Sequence, residues 1–380
     1  MTQAIPGSYL ITRRLFSNLL NFPRHLFIMV LTLWNEISRS GWTLNRGICM
    51  KKPGRKQMKF INAYTFGFCE KQGFTQGRSW QQSLKLMADS TGCNAIILPV
   101  CAWQDHAFST QLDSVHPDVM SAEDVRNVCG YARELGLGII LKAMVNCRDG
   151  YWRAYIRFFD QEVPVEPGWR EWFPSWSEHV KYVAAMAEEN HADMFCIGCE
   201  MVGTDHRELE WRELISEVRQ IYSGPLTYNC DKYQEDHIVW WDALDVISSS
   251  GYYPVDDLDR QFERIHEVAE RFRKPFMFME CGCPSRYESE NRPNDWNYGK
   301  GISLESQERW YKAFLEALEH HPFIRGTGWW DWSATRLYPE YAGADNSGYC
   351  TWGKPANDLI RKFSETVVSE SDGLLFRIDN

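Results

Sequence analysis

The sequence predicts an α/β protein built as a single (β/α)8 TIM barrel. Two observations carry that reading. From Lys59 onward, apolar runs of strand length recur eight times, and most are followed by a stretch with helical spacing. The roughly 300 residues beyond the N-terminal segment also match the usual size of a barrel with inserted loops. The competing architecture, an open doubly wound sheet, lacks its signature, because no G-x-G-x-x-G follows the first run.

The runs are Phe60–Phe66, Ala95–Val100, Gly138–Val145, Met194–Cys199, Pro225–Asn229, Val246–Ser250, Pro275–Glu280 and Gly326–Trp330. The run within Ala192–Val202, ADMFCIGCEMV, is short and apolar, as a strand buried on both faces is. Between the runs, Ser83–Ser90 places Leu84, Leu86 and Met87 on one side. Ala122–Leu135 carries Val125, Val128 and Leu135 behind Ser121-Ala122-Glu123-Asp124, a start able to cap itself. Trp176–Glu189, Glu208–Tyr222, Leu258–Phe272 and Ser303–His320 continue the helical pattern. The long irregular pieces, Cys147–Pro174, Cys281–Ile302 and Tyr338–Trp352, follow the third, seventh and eighth strands. In a barrel these loops rise on the face where sites are built.

The ends of the chain differ from its middle. Residues 1–57 hold Arg13, Arg14, Arg24, Arg39, Arg46, Lys51, Lys52, Arg55 and Lys56 against the single acid Glu36. Leu26–Trp34 is apolar but short for a membrane span. It fits the core of a signal peptide or anchor, although no small-x-small cleavage site follows. The favoured expectation is a poorly ordered or extraneous extension, with Met58 a sensible start, a barrel over 58–368 and a tail over 369–380. No short-period repeat is visible.

A formal charge of -10 over 380 residues argues against a nucleic-acid partner. With 17 Trp and 17 Tyr, the chain has the means to stack flat, uncharged rings, although core filling is the ordinary role of any one Trp. The 12 Cys do not fall into metal spacing. Cys196 and Cys199 form a C-x-x-C inside a strand, without the βαβ setting that gives that motif redox meaning, and Cys281 and Cys283 stand one residue apart. No metal and no cofactor are expected, and scattered reduced thiols favour a cytoplasmic setting over a secreted or membrane-anchored one. His106, His116, His191 and His237 share no spacing and read as structural or loop residues.

Two of the buried runs end in a carboxylate. ADMFCIGCEMV stops at Glu200 on the fourth strand, and KPFMFMECG stops at Glu280 on the seventh. A lone strand-end Glu is usually paired with a neighbouring cation. Two at these positions in one barrel are the pair that glycosidic acid-base chemistry needs, about 5–5.5 Å apart where configuration is retained. Glu200 then needs a raised pKa, and Glu280 needs donors to stay ionised. Tyr252 and Tyr253, after the sixth strand, are placed to offer a phenol. Trp330 is a natural floor for a sugar, and Trp329 should face the wall by the period of two. Asp331 binds a hydroxyl if the strand has ended there, or pairs with an Arg. Trp103, placed in the loop after the second strand, and Trp152 with Arg153, after the third, are candidates to line a groove. Lys142 is either a buried paired lysine or a hydroxyl contact. Asp231-Lys232-Tyr233 is either a reach toward a distal sugar or a solvated turn.

The segments VNCRDGYWRAYIRFFD, MFCIGCEMV, LTYNCDKYQED, WWDALDVISSSGYYPV, CGCPSRYESENRPNDW and GWWDW together resemble glycoside hydrolase family 113 from about Lys59 to about Phe363. The resemblance implies a (β/α)8 barrel, retaining hydrolysis and β-1,4-mannan or manno-oligosaccharide substrates. It also implies that Glu200 is the acid/base and Glu280 the nucleophile. One departure from the wider clan is visible. Its acid/base Glu usually follows an Asn that holds the sugar 2-hydroxyl; here Cys199 stands there, and Asn146 is the substitute candidate. The expectation is an endo-acting β-mannanase with an oligo- or polysaccharide partner. An exo-acting β-mannosidase or other β-glycosidase, and a carbohydrate-binding barrel without activity, are the alternatives.

Overall fold

Eight parallel strands close into a barrel in the computed structural model, which describes residues 56–296, 301–335 and 345–367, Gly343, and short strands at 42–45, 48–51 and 376–378. The strands are β1 (Ile61–Phe66), β2 (Ala95–Gln104), β3 (Gly138–Cys147), β4 (Met194–Cys199), β5 (Leu226–Cys230), β6 (Ile247–Ser250), β7 (Phe276–Cys281) and β8 (Ile324–Trp332). They pair in sequence order, and β8 returns to β1 with Gly326 opposite Ile61. The helices are α1 (Ser79–Thr91), α2 (Ala122–Glu134), α3 (Trp169–Glu189), α4 (Glu208–Val218), α5 (Leu258–Phe272), α6 (Leu304–His320) and α7 (Pro355–Val367). Among the described residues no α-helix follows β5; a single 3-10 turn, Trp241–Ala243, takes its place.

The chain divides into two units, Met1–Gln57 with Ile378–Asn380, and Met58–Arg377. In the first, Trp42–Asn45 and Ile48–Lys51 form an antiparallel ladder. The apolar stretch Leu26–Trp34 and most of 1–57 and 369–380 lie outside the described residues. Among the described residues, no helix is long and apolar enough to cross a membrane.

Inside the barrel, Ile61, Ala63, Ala95, Ile97, Ile140, Met194, Cys196, Met277 and Met279 form the closed lower core. Gly328 on β8 has no side chain because none fits. A Cβ there would lie 2.4 Å from the Met279 carbonyl oxygen and 2.5 Å from Ile97 Cδ1. The opposite parity faces the helices, where Phe195 meets Tyr222 and Trp329 meets Tyr311 and Phe314. Most of the aromatic surplus is spent in that layer. Trp172, Trp176, Trp211, Trp240, Trp241 and Trp310 are fully buried, with Trp211 and Trp240 stacked at 5.0 Å.

Element boundaries differ from expectation at several ends. α1 begins at Ser79 and α3 at Trp169, so α3 takes Pro174 into its second turn and shortens the loop after β3. Pro174 has no amide hydrogen to give the Arg170 carbonyl, so α3 forgoes one backbone bond there. β2 and β3 are longer than their apolar runs, pairing in register as far as Gln104 and Cys147. The expected cap of α2 is present. Ser121 Oγ accepts from the Asp124 amide, and Asp124 Oδ2 accepts from the Ser121 amide, both at 3.1 Å.

Candidate active site

Glu200 and Glu280 come together at the C-terminal mouth of the barrel. One carboxylate oxygen of each, with Cys199 Sγ, all lie within 4.8 Å of one another. Both residues are buried. Glu200 sits one residue past β4 with φ at +52°, a left-handed conformation rare outside glycine. Its amide donates to the Asn229 carbonyl of β5 at 2.7 Å, which fixes the turn.

The two carboxylates have separate sets of donors. Glu280 Oε1 accepts from Lys142 Nζ at 2.5 Å and from Cys199 Sγ at 3.2 Å. Its Oε2 accepts from the Tyr252 hydroxyl at 3.1 Å. Glu200 Oε2 accepts from Trp152 Nε1 at 3.1 Å and Arg153 Nη1 at 3.0 Å, and its Oε1 accepts from Ser250 Oγ at 2.7 Å. Arg153 is itself buried, donating from Nε to the Val145 carbonyl and from Nη2 to Asn146 Oδ1 at 2.7 Å. Asn146 Nδ2 donates to Cys69 Sγ at 3.1 Å.

These surroundings drive the two groups apart. Burial pushes the Glu200 carboxyl up, and the charge of Glu280 adds to it; Arg153, Ser250 and Lys142 oppose without prevailing. Burial also pushes Glu280 up, but the bonded Lys142 ammonium outweighs it, aided by Arg153 and Cys199, and the net direction is down. One carboxyl pushed toward its protonated form and one held toward its ionised form, at this range, match the division of labour that glycosidases use.

Among the described residues, Cys199, Glu200 and Glu280 are the one cluster spaced to hold a metal ion. A divalent cation there would face the fixed Lys142 and Arg153 charges on the same oxygens. A cleft of about 510 Å³ between α3 and α4, lined by Phe159, Arg170, Arg207 and Glu217, contains neither carboxylate.

The sequence profile of glycoside hydrolase family 113 matches residues 64–354. The chain belongs to glycoside hydrolase family 113. Solved structures agree. One, a GH113 β-1,4-mannanase, is 44% identical, covers 81% of this chain and 100% of its own, and superposes with a TM-score of 0.79. The GH113 β-mannanase AaManA from Alicyclobacillus acidocaldarius, in complex with ManMIm, is 36% identical, with coverage of 82% and 99% and a TM-score of 0.78. A β-glucuronidase of Dictyoglomus thermophilum, 16% identical at a TM-score of 0.54 over 85% of this chain and 53% of its own, shares the fold alone. No curated protein matches. The chain is thus a glycoside hydrolase with a carbohydrate substrate.

Most sequence candidates gather around the family 113 carboxylate pair, but several do so in unexpected ways. Lys142 is a fully buried ion-pair partner of Glu280 and also donates to Asn229 Oδ1 at 3.1 Å. Trp152 and Arg153 contact Glu200 directly and do more than line a groove. Trp330 is buried at the mouth against Phe68 and Trp296, and Trp329 faces the wall, its Nε1 donating to Asn62 Oδ1 at 2.6 Å. Tyr253 is a correction. It turns away and donates to Glu235 Oε1 at 2.6 Å, because it lies past the end of β6 and its neighbour Tyr252 already takes the inward direction. Trp103 is a second correction. It is not in a loop but in the last turn of the β2 ladder opposite Asn146, half-buried, donating to the Asp118 carbonyl under Arg148. For Asp331 the condition attached to hydroxyl binding, a strand already ended, is not met, since β8 continues through it to Trp332.

Sequence reasoning missed Ser250, Asn229 and the Cys199 contact. Ser250 was hidden in a run of three serines that reads as plain strand. Cys199 reaches the interior, where Cys196 already points, because the β4–β5 ladder slips between them. Three residues apart on a regular strand, they would face opposite sides. The four histidines stay out of the site; His106, for one, pairs with Asp149 at 2.8 Å.

Proposed function

We propose that this chain hydrolyses internal β-1,4-mannosidic bonds with retention, Glu280 acting as nucleophile and Glu200 as acid/base. The observation that carries the reading is the buried pair within 4.8 Å whose surroundings push one carboxyl up and the other down. That approach fits the spacing of about 5–5.5 Å typical of a displacement without a water between sugar and carboxylate. The mannan specificity rests on the family and on the mannanase names of the solved relatives.

The donor geometry supports the following allocation of atoms to steps. Arg153 and Trp152 can only donate, so Glu200 Oε2 keeps its lone pairs and the proton resides on Oε1. Ser250 can rotate its hydroxyl to accept from that proton, which holds it until a glycosidic oxygen takes it. On Glu280, Oε1 is occupied by Lys142 and Cys199, and Oε2 has only the Tyr252 hydroxyl. Oε2 is therefore the atom that attacks the anomeric carbon. As the C1–O bond breaks, its electron pair goes to the leaving oxygen, which receives the Glu200 proton.

Forming the ester removes the Glu280 charge. Glu200 then loses one of the two influences that raised it, while Arg153 remains, so it becomes able to take a proton from water. That water attacks C1, the ester bond breaks toward Glu280, and both carboxyls return to their starting states. Trp330 offers an apolar floor beneath the reacting sugar, and Asn146, fixed by Arg153, is the candidate contact for its 2-hydroxyl.

Glu200→Gln and Glu280→Gln are each expected to lower mannotetraose hydrolysis by orders of magnitude with melting temperatures near wild type. Near-native turnover in either variant refutes the assignment. Product analysis on mannohexaose separates the modes: mixed oligomers mean internal cleavage, mannose alone means an exo enzyme.

A further inference from the structure

Asp231 is a buried carboxylate that the mechanism above does not use. It follows Cys230, the last residue of β5, and is only 8% exposed. It is therefore not a residue of a solvated turn. Its nearest cation, Lys232 Nζ, is 4.0 Å away, beyond hydrogen-bonding reach. A carboxylate taken from water without a bonded cation is costly, and such a position persists where something else repays it. Burial first, and the charge of Glu200 second, push this carboxyl up to about 7.

The location has a direction. The Asn229 carbonyl, two residues earlier, accepts the Glu200 amide directly, whereas its side chain reaches Glu280 only through Lys142, so the end of β5 is fastened first to the acid/base. In the displacement, the sugar that becomes esterified lies over Glu280, and the sugar that departs lies on the Glu200 side. Tyr233, next along, holds φ at +67° and packs its ring edge-on to Tyr253 at 5.2 Å, on the side turned away from the carboxylate pair, so Asp231 alone of this segment faces the acid/base. A buried carboxylate near the acid/base, bonded by no side chain among the described residues and held only by the Lys232 backbone, keeps lone pairs for the hydroxyls on the edge of a pyranose.

We infer that Asp231 belongs to the subsite for the leaving sugar, where its carboxylate accepts hydrogen bonds from the hydroxyls of that sugar. The inference rests on the proposed role of Glu200 and deepens it by naming a specificity determinant on the departing side. A hydroxyl bonded to a charged acceptor in a buried site is worth about tenfold to a hundredfold in transition-state binding.

The test compares two substrates at each protein's own pH optimum: mannotetraose, whose leaving group is a sugar, and 4-nitrophenyl β-mannobioside, whose leaving group has no hydroxyls. Wild-type turnover of both substrates secures the functional reading independently of Asp231. For Asp231→Asn, the ratio of kcat/KM on mannotetraose to that on the aryl glycoside is expected to fall at least tenfold. A ratio within twofold of wild type, whether both activities fall or neither does, overturns the inference. Asp231→Glu keeps the charge but moves the carboxyl by one methylene, and it is held to the same criterion should the Asn variant not fold.

Discussion

Removing the Lys142 ammonium should disable Glu280 in a way that pH can partly reverse. Lys142 is fully buried, and its Nζ lies 2.5 Å from Glu280 Oε1. Two unit charges at that separation attract by roughly 6–7 kcal/mol at the effective dielectric of about 20 that suits protein sites. Breaking one side of a buried pair typically costs about 3–5 kcal/mol, the rest being recovered by relaxation. In Lys142→Met the burial that pushes Glu280 up is no longer outweighed. If the loss falls on the ionised state of Glu280, the competent fraction drops by roughly a hundredfold to a few thousandfold at fixed pH, since about 1.4 kcal/mol is a factor of ten. The assay is the pH profile of kcat/KM on mannotetraose, in which the acid limb should move to higher pH. Stability carries its own sign. In the wild type the folded-state pKa of Glu280 is depressed, so its contribution is present above the unfolded carboxylate pKa and is lost as pH falls through the folded one. In the variant that pKa is raised, so the melting-temperature gap should be widest near neutrality and close in acid. A fall of less than tenfold with the acid limb unmoved refutes the claim that Lys142 holds the nucleophile ionised.

Other expectations follow from the same geometry. Arg153→Met removes the main influence holding Glu200 down, so the alkaline limb of the kcat/KM profile should move to higher pH; an unmoved or lowered limb contradicts this. Tyr252→Phe should lower kcat on mannotetraose about tenfold or more by removing the donor on Glu280 Oε2. Tyr253→Phe should instead leave kcat near wild type and cost about 1–2 kcal/mol in urea unfolding, through its lost bond to Glu235. Gly328→Ala should destabilise the barrel by about 1–3 kcal/mol or prevent folding, because its Cβ meets the Met279 carbonyl oxygen; an unchanged melting temperature is the contrary result.

What the sequence revealed followed strand regularity. Ile140, Lys142 and Met144 all face the barrel interior, as a period of two demands, so Lys142 could be singled out before its partner was known. Gly328 and Trp330 share the inward parity of β8, and the same period of two turns Trp329 to the wall. The same logic failed where the backbone leaves the ideal. The slip in β4 turns Cys199 inward against its expected parity, and no residue type marks that slip in the sequence. Beyond the last residue of β6 no period applies, so Tyr252 and Tyr253 looked equivalent. Polar endings also hid the reach of β2 and β3, because apolar content stops before the hydrogen-bond ladder does.

The unequal fate of the two glutamates needs explanation, because each accepts three donors. Glu200 has Arg153, Trp152 and Ser250; Glu280 has Lys142, Cys199 and Tyr252. The number of donors therefore does not decide which carboxyl ionises. The delivery of charge does. The Arg153 guanidinium divides its contacts among Glu200, Asn146 and the Val145 carbonyl, so its positive charge is spread over a wide fork. The Lys142 ammonium is compact and lies closer to Glu280 than any Arg153 atom lies to Glu200 in these contacts. With two carboxylates within 4.8 Å, mutual repulsion allows one to ionise cheaply, and the compact charge selects Glu280. It follows that exchanging the cations' character, as in Lys142→Arg, preserves formal charge but not the allocation. Such a variant should lose most of its activity on mannotetraose even though both carboxylates and both positive charges are retained. Activity close to wild type would mean that formal charge alone, and not its concentration on one oxygen, divides the roles.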